Sequence, residues 1–281
     1  ETETASAHGA EERPLVTRHS LREGHRSLRI LVAEDNEVNQ MLVQRMLENR
    51  GHYVRLAHNG RQALDMLEKH NFELILMDVQ MPEMDGLEAT RRIRRREAEK
   101  GGHVPIIALT AHAMKGDREL CIAAGMDGYV SKPLRASELL EVMETLLPSP
   151  TGLVLPEQPA AEPAAATEEL LVDQAALRER TEHDTEFMVE LIHAFRRKHP
   201  LQVTELKRAL DRSDASTLRL TAHALAGSLA NLAARPAELA ARNLEEAARA
   251  GNLPQAARGL AELEAALLKL DPVLAGLAAQ S

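Results

Sequence analysis

The chain has 281 residues, 34 basic and 43 acidic side chains, a net charge of -9 and one cysteine, Cys121. That length suits about two domains, and the acidic balance argues against nucleic acid as the main partner, since phosphate-backbone binding needs concentrated Lys and Arg. One cysteine excludes an internal disulfide and makes a reducing compartment the simpler setting; no window reaches the length of a membrane span or reads as a signal peptide.

Residues 1–27 are polar, with arginines spaced apart and no Phe, Tyr or Trp between them, and read as an N-terminal linker. The first residue is Glu1 and not Met, so the chain is expected to be a fragment of a longer protein. Residues 28–147 alternate apolar runs with helical patterns. Strands are predicted at 28–33, 53–57, 73–78, 104–109 and 128–130, with helices at 36–49, 60–69, 86–97, 114–124 and 137–147. Five strand–helix repeats imply one α/β domain, a five-stranded parallel sheet with helices on both faces.

Residues 148–168 contain Pro148, Pro150, Pro156, Pro159 and Pro163, a density that forbids a helix and predicts an extended linker. From 169 to 281 strand signals vanish. Helices are predicted at 174–180, 185–210, 215–233, 237–250 and 254–270, with a short tail after Pro272, and an antiparallel four-helix bundle is the expected packing.

The strongest chemical signal lies at the strand ends of the first domain. The first strand runs into Glu34 and Asp35, and the third, Leu74-Ile75-Leu76-Met77, into Asp78. In a parallel sheet these two strands flank the switch point, so three carboxylates converge. Two unit charges about 4 Å apart repel by roughly 4 kcal/mol at an effective dielectric near 20, so the cluster calls for a cation. Mg²⁺ fits best, since it takes oxygen ligands and is held by one or two carboxylates plus phosphate oxygens. The fourth strand ends in Thr110 and the fifth in Ser131-Lys132-Pro133, adding a hydroxyl and a positive charge on the same edge. The set describes a phosphoryl-transfer site with Asp78 as nucleophile, Lys132 offsetting charge and Thr110 donating to a phosphoryl oxygen.

Residues 28–147 resemble the receiver domain of two-component response regulators. The likeness rests on Ala33-Glu34-Asp35-Asn36, Met77-Asp78-Val79-Gln80-Met81-Pro82, Asp85-Gly86, Ala108-Leu109-Thr110-Ala111 and Lys132-Pro133, and the variant here is similar to receivers built into hybrid sensor histidine kinases. The resemblance implies a flavodoxin-like fold, phosphorylation at Asp78, and Mg²⁺ held by Asp35, Asp78 and the Gln80 carbonyl, with Glu34 acting partly through water. It also implies a cis peptide before Pro133 and a switch in which Thr110 and Tyr129 move.

In the second half, Thr221-Ala222-His223-Ala224-Leu225-Ala226-Gly227-Ser228 places a glycine mid-helix, where it costs about 1 kcal/mol relative to Ala. Gly227 lies one turn from His223 on the same face, and a small residue there leaves room for a partner to reach the imidazole. This half resembles a histidine phosphotransfer domain, a four-helix bundle carrying a phosphoryl group on one exposed His. The family usually has Lys where Ala226 stands and a second Gly near Ala233. Arg219, on almost the same side of the helix, is expected to replace the missing Lys, and His193 and His199 are the rival acceptors.

Together the halves predict a phosphorelay. A kinase histidine phosphorylates Asp78, Asp78 passes the group to His223, and His223 passes it to a downstream response regulator. The expected partners are a histidine kinase domain, in the same polypeptide, and that regulator; nucleic acid and membrane contact are not expected. No dimerisation helix or ATP lid is present, so the ATP-dependent step is expected from elsewhere and the setting is cytoplasmic, including the cytoplasmic part of a membrane-anchored kinase. The competing reading is a regulatory module whose receiver is an allosteric switch and whose bundle only docks a partner.

Overall fold

The computed structural model describes residues 26–110, 115–147 and 170–279. The two linkers expected at 1–27 and 148–168 lie almost wholly outside the described residues. Strands β1 (Arg29–Ala33), β2 (Tyr53–Ala57), β3 (Leu74–Asp78), β4 (Ile106–Thr110) and β5 (Gly128–Ser131) form one parallel sheet in the order β2-β1-β3-β4-β5. Every residue of β3 and β4 is buried, as expected of central strands covered on both faces.

Five helices accompany the strands: α1 (Glu37–Glu48), α2 (Gly60–Lys69), α3 (Gly86–Lys100), α4 (Lys115–Ala124) and α5 (Ala136–Leu146). Side chains alternate across the sheet, so Leu31, Ile75 and Met77 meet Ala63 of α2, Ala89 and Ile93 of α3 and Cys121 of α4. On the other face Ile30, Val32 and Leu76 meet Val43 and Leu47 of α1 and Leu139 and Met143 of α5. Gly86 opens α3 directly beneath β3, where an added Cβ would lie 2.0 Å from the Asp78 carbonyl oxygen. Only glycine permits that approach. The Lys132–Pro133 peptide is cis, as the family resemblance implies.

Residues 170–279 are helical: short α6 (Gln174–Arg180), then α7 (Thr185–Asp211), α8 (Ala215–Asn231), α9 (Arg235–Arg249) and α10 (Leu253–Ala279). Asp173, Asp184 and Asp214 cap α6, α7 and α8 with side-chain oxygens. The four long helices share one core built around Leu191, Phe195, Leu225, Leu244 and Leu263. Ala233, just past α8, has φ of 53°, the left-handed region that favours glycine and the place where the resembled family has its second Gly.

Most boundaries fall within three residues of expectation, and one departs further. Helix α10 does not end near Leu270; it passes through Pro272 to Ala279. A proline inside a helix costs roughly 3 kcal/mol. Leu274 and Leu277 beyond it are buried, each contributing about 2 kcal/mol, and this burial outweighs the lost hydrogen bond.

The bundle's core does not stop at the bundle. Val38, Leu42 and Met46, four residues apart on α1, belong to it, while Val43 and Leu47 of the same helix face the sheet. Helix α1 is therefore apolar on two faces and wedged between the halves. The rim of this junction is polar: Arg45 pairs with Asp184 at 2.9 Å and lies over the Phe187 ring, and Arg50 pairs with Glu182 at 2.6 Å.

Candidate functional site

The parallel register carries the acidic side chains to one edge. Ala33 of β1 lies beside Met77 of β3, so Glu34 and Asp35 emerge next to Asp78. Ligand oxygens of the three carboxylates lie within 4.8 Å of one another, so the cluster could hold a metal ion. Thr110 and Ser131 are register partners at the ends of β4 and β5, and Lys132 follows directly. Its Nζ donates to Glu34 Oε2 and Asp78 Oδ2, both at 2.7 Å.

These groups are almost wholly out of water: Glu34 is 0%, Asp78 1% and Lys132 8% exposed. Burial, reinforced by Asp78, pushes the Glu34 carboxyl up to about 8 and Asp35 up to about 6, although Lys132 pulls both back. Burial opposes the Lys132 charge as well, yet Asp78 and Glu34 more than offset it and hold the ammonium above its ordinary range. Carboxylates desolvated beyond what one lysine balances are a donor set suited to a hard divalent cation.

Gln80 donates its backbone N–H to Asp78 Oδ1 at 3.2 Å. Tyr129 on β5 is half-buried, with the Arg118 guanidinium 5.4 Å from its ring centre.

Directly over this edge lies α8. His223 is 7% exposed and lines, together with Glu34, Asp35, Asp78 and Lys132, a narrow cavity of about 10 Å³. His193 and His199 do not share it; they border a separate recess with Arg196 and Asp271, and His199 stacks on Phe195. The backbone at Gly227 passes so close to α1 that an added Cβ would meet Asn39 Nδ2 at 3.1 Å.

Arg219 does not line the cavity. It reaches across to the receiver-like half and donates to Gln80 Oε1 at 2.7 Å, clamping the loop after β3.

Several participants were not singled out from the sequence. Asn36 caps α1 with its Oδ1 and donates Nδ2 to the Ala224 carbonyl and to Ser228 Oγ. Asn39 donates to Glu34 Oε1 at 2.8 Å and accepts from Asn231 Nδ2 at 2.8 Å, linking the acidic site to the bundle. From α9, Glu245 Oε1 lies 3.0 Å from His223 Nδ1 and accepts from Arg249 at 3.2 Å, and Arg242 lines the cavity. The signal that could have found the last pair is the run Glu238, Arg242, Glu245, Arg249, four charges of alternating sign at helical spacing on one face.

An ionised Glu245 can only accept, so the proton of a neutral His223 imidazole belongs on Nδ1 and the lone pair on Nε2. The arrangement sets an imidazole nitrogen and a carboxylate at one cavity.

Comparison with known proteins finds a family for each half. The family model of the response regulator receiver domain matches residues 30–144, and that of the Hpt domain matches residues 190–271. Over 122 residues the chain is 49% identical to hybrid signal transduction histidine kinase I of Dictyostelium discoideum, covering 42% of the chain and 7% of that protein. It is 39% identical over 154 residues to the sensor histidine kinase GacS of Pseudomonas protegens, covering 53% of the chain and 16% of GacS. The polar-differentiation response regulator DivK of Brucella anthropi is 38% identical over 118 residues, 42% of this chain and 94% of DivK. Among solved structures, the receiver domain of a Pseudomonas aeruginosa sensor histidine kinase, crystallised with magnesium in its active-site cleft, is 43% identical, with 43% of this chain and 97% of that one covered and a TM-score of 0.39. The chain thus spans only a small part of the kinases it matches.

Proposed function

Because this chain belongs to the response regulator receiver family and carries an Hpt domain behind its receiver, we propose that it is the phosphorelay segment of a hybrid sensor histidine kinase, passing a phosphoryl group from Asp78 to His223 within one chain. Its parts are a linker at 1–27, a receiver at 28–147, a Pro-rich linker at 148–168 and a phosphotransfer domain at 169–281. The observation that carries the reading is the shared cavity: Asp78 and His223, 145 positions apart in sequence, line the same desolvated space.

Asp78 takes the phosphoryl group from a kinase histidine, in the same polypeptide. Mg²⁺, held by Glu34, Asp35, Asp78 and the Gln80 backbone carbonyl, would neutralise charge on the phosphoryl oxygens when bound. Lys132 donates to Asp78 and so offsets charge on the same side. Thr110 and Tyr129 act as the switch residues of the receiver. His223 Nε2 then attacks phosphorus with its lone pair; the P–N bond forms, the P–O bond to Asp78 breaks, and the carboxylate is restored. The imidazole becomes cationic while keeping its Nδ1 proton, and Glu245 stabilises that charge.

From His223 the group leaves for the receiver of a separate response regulator, which must displace this chain's own receiver from the same face. A cytoplasmic setting belongs to the same proposal. Among the described residues no helix is long and apolar enough to cross a membrane.

Labelling the full chain with radioactive acetyl phosphate and Mg²⁺ tests the relay. Wild type is expected to carry acid-labile phosphate on His223, Asp78→Asn to carry none on either acceptor, and His223→Gln to retain label on Asp78 alone. Label on Asp78 that never reaches the bundle would favour a docking module instead.

A further inference from the structure

The phosphotransfer half lacks the lysine that its family places near the histidine, and Ala226 stands there. Arg219, the expected replacement, is engaged with Gln80. Yet a phosphoryl group on the His223 side of the cavity brings negative charge beyond what Lys132 and the proposed Mg²⁺ balance, and calls for a cation from the bundle. Glu34, Asp35 and Asp78 line it against Lys132 alone on the receiver side, and an arriving phosphoryl group adds further negative charge.

Among the described residues one bundle cation lines this space, while Lys198 of α7 acts on Asp35 without lining it. Arg242 projects from α9, one turn before Glu245, the residue that holds the His223 ring. It pairs with Glu238 through Nε at 2.8 Å, and its two terminal nitrogens make no hydrogen bond among the described residues. A guanidinium fixed along one edge keeps its other donors in a rigid fork that matches two phosphoryl oxygens. The Glu238 pair, formed between neighbours on one helix, aims the fork and leaves it open.

We propose that Arg242 is the phosphoryl-binding cation of the phosphotransfer domain, reaching the His223 phosphoryl group from α9 in place of the lysine that Ala226 removes from α8. The proposal rests on the reading of His223 as acceptor. Arg242 binds the phosphoryl oxygens as the P–O bond to Asp78 breaks and the P–N bond to His223 forms, and it exchanges no proton. Its place on a second helix also explains how Ala226 can pack in the bundle core.

The test uses the full chain, radioactive acetyl phosphate and Mg²⁺, with labelling of Asp78 and of His223 followed separately in time. Arg242→Ala is expected to label Asp78 at the wild-type rate and to slow transfer to His223 by roughly tenfold to a hundredfold, with Arg242→Lys recovering most of the loss. Transfer at the wild-type rate in Arg242→Ala overturns the proposal. So does an equal loss in both variants accompanied by a lower melting temperature, which would mark a packing role. A wild-type chain that labels Asp78 but never His223 fails at the earlier step, removing the acceptor and the proposal with it.

Discussion

The two halves of the shared site are built on opposite plans. The receiver concentrates charge away from water: two buried carboxylates, Glu34 and Asp78, a partly buried third, Asp35, and buried Lys132, at strand ends set by the register of the sheet. The bundle offers one imidazole and steadies it from a neighbouring helix with Glu245, itself shared with Arg249 on the half-exposed side of α9. The receiver's chemistry is thus tied to its stability, whereas the bundle's chemistry is a matter of orientation. A mutation in the first should be felt as unfolding and a mutation in the second as lost rate.

The largest expected effect comes from Lys132→Ala. It leaves Glu34 and Asp78 buried without their cation, which costs about 3 kcal/mol in a metal-free chain and shows as a lower denaturant midpoint. A midpoint that does not move would break the contrast, since the receiver's charges would then not be coupled to its fold.

Glu245→Gln keeps a hydrogen-bonding side chain of the same shape but removes the charge facing the imidazole. Transfer from Asp78 to His223 should slow by roughly tenfold while the melting temperature changes little, in keeping with a charge-assisted hydrogen bond worth about 1.5–3 kcal/mol in part. A large stability loss without a rate effect would place Glu245 with the structural charges instead.

The smallest effect is in Mg²⁺ affinity against pH. Protons and metal compete for the same oxygens, and Glu34 and Asp35 hold protons up to about 8 and about 6. Raised values mean that the protonated forms persist to higher pH than for ordinary carboxylates. Affinity measured by calorimetry should therefore fall severalfold from pH 8 to pH 6, and a constant affinity over that range would show that the two carboxyls are already ionised.

The contrast also explains what could be read from the residues alone. Strand ends carrying Glu34, Asp35, Asp78, Thr110 and Lys132 are local signals: an apolar run stops, a chemical group follows, and parallel topology gathers the ends together. His223 was legible through Gly227, because a mid-helix glycine demands a reason. Glu245 and Arg242 were not, since a helix surface is full of charges and only the pairing of α8 with α9 picks out those two. Helix α1 hid its second role in a similar way. Val38, Leu42 and Met46 look like the inward stripe of an ordinary helix until Val43 and Leu47 are seen to fill that place. Pro272 misled for the opposite reason, a correct local rule overridden by the leucines beyond it.

The space between Asp78 and His223 amounts to about 10 Å³, at or below what one water molecule requires. A phosphoryl group is larger than a water molecule, so in the proposed relay receiver and bundle must draw apart to admit it, and the lifetime of label on Asp78 would be set by how often the joint opens.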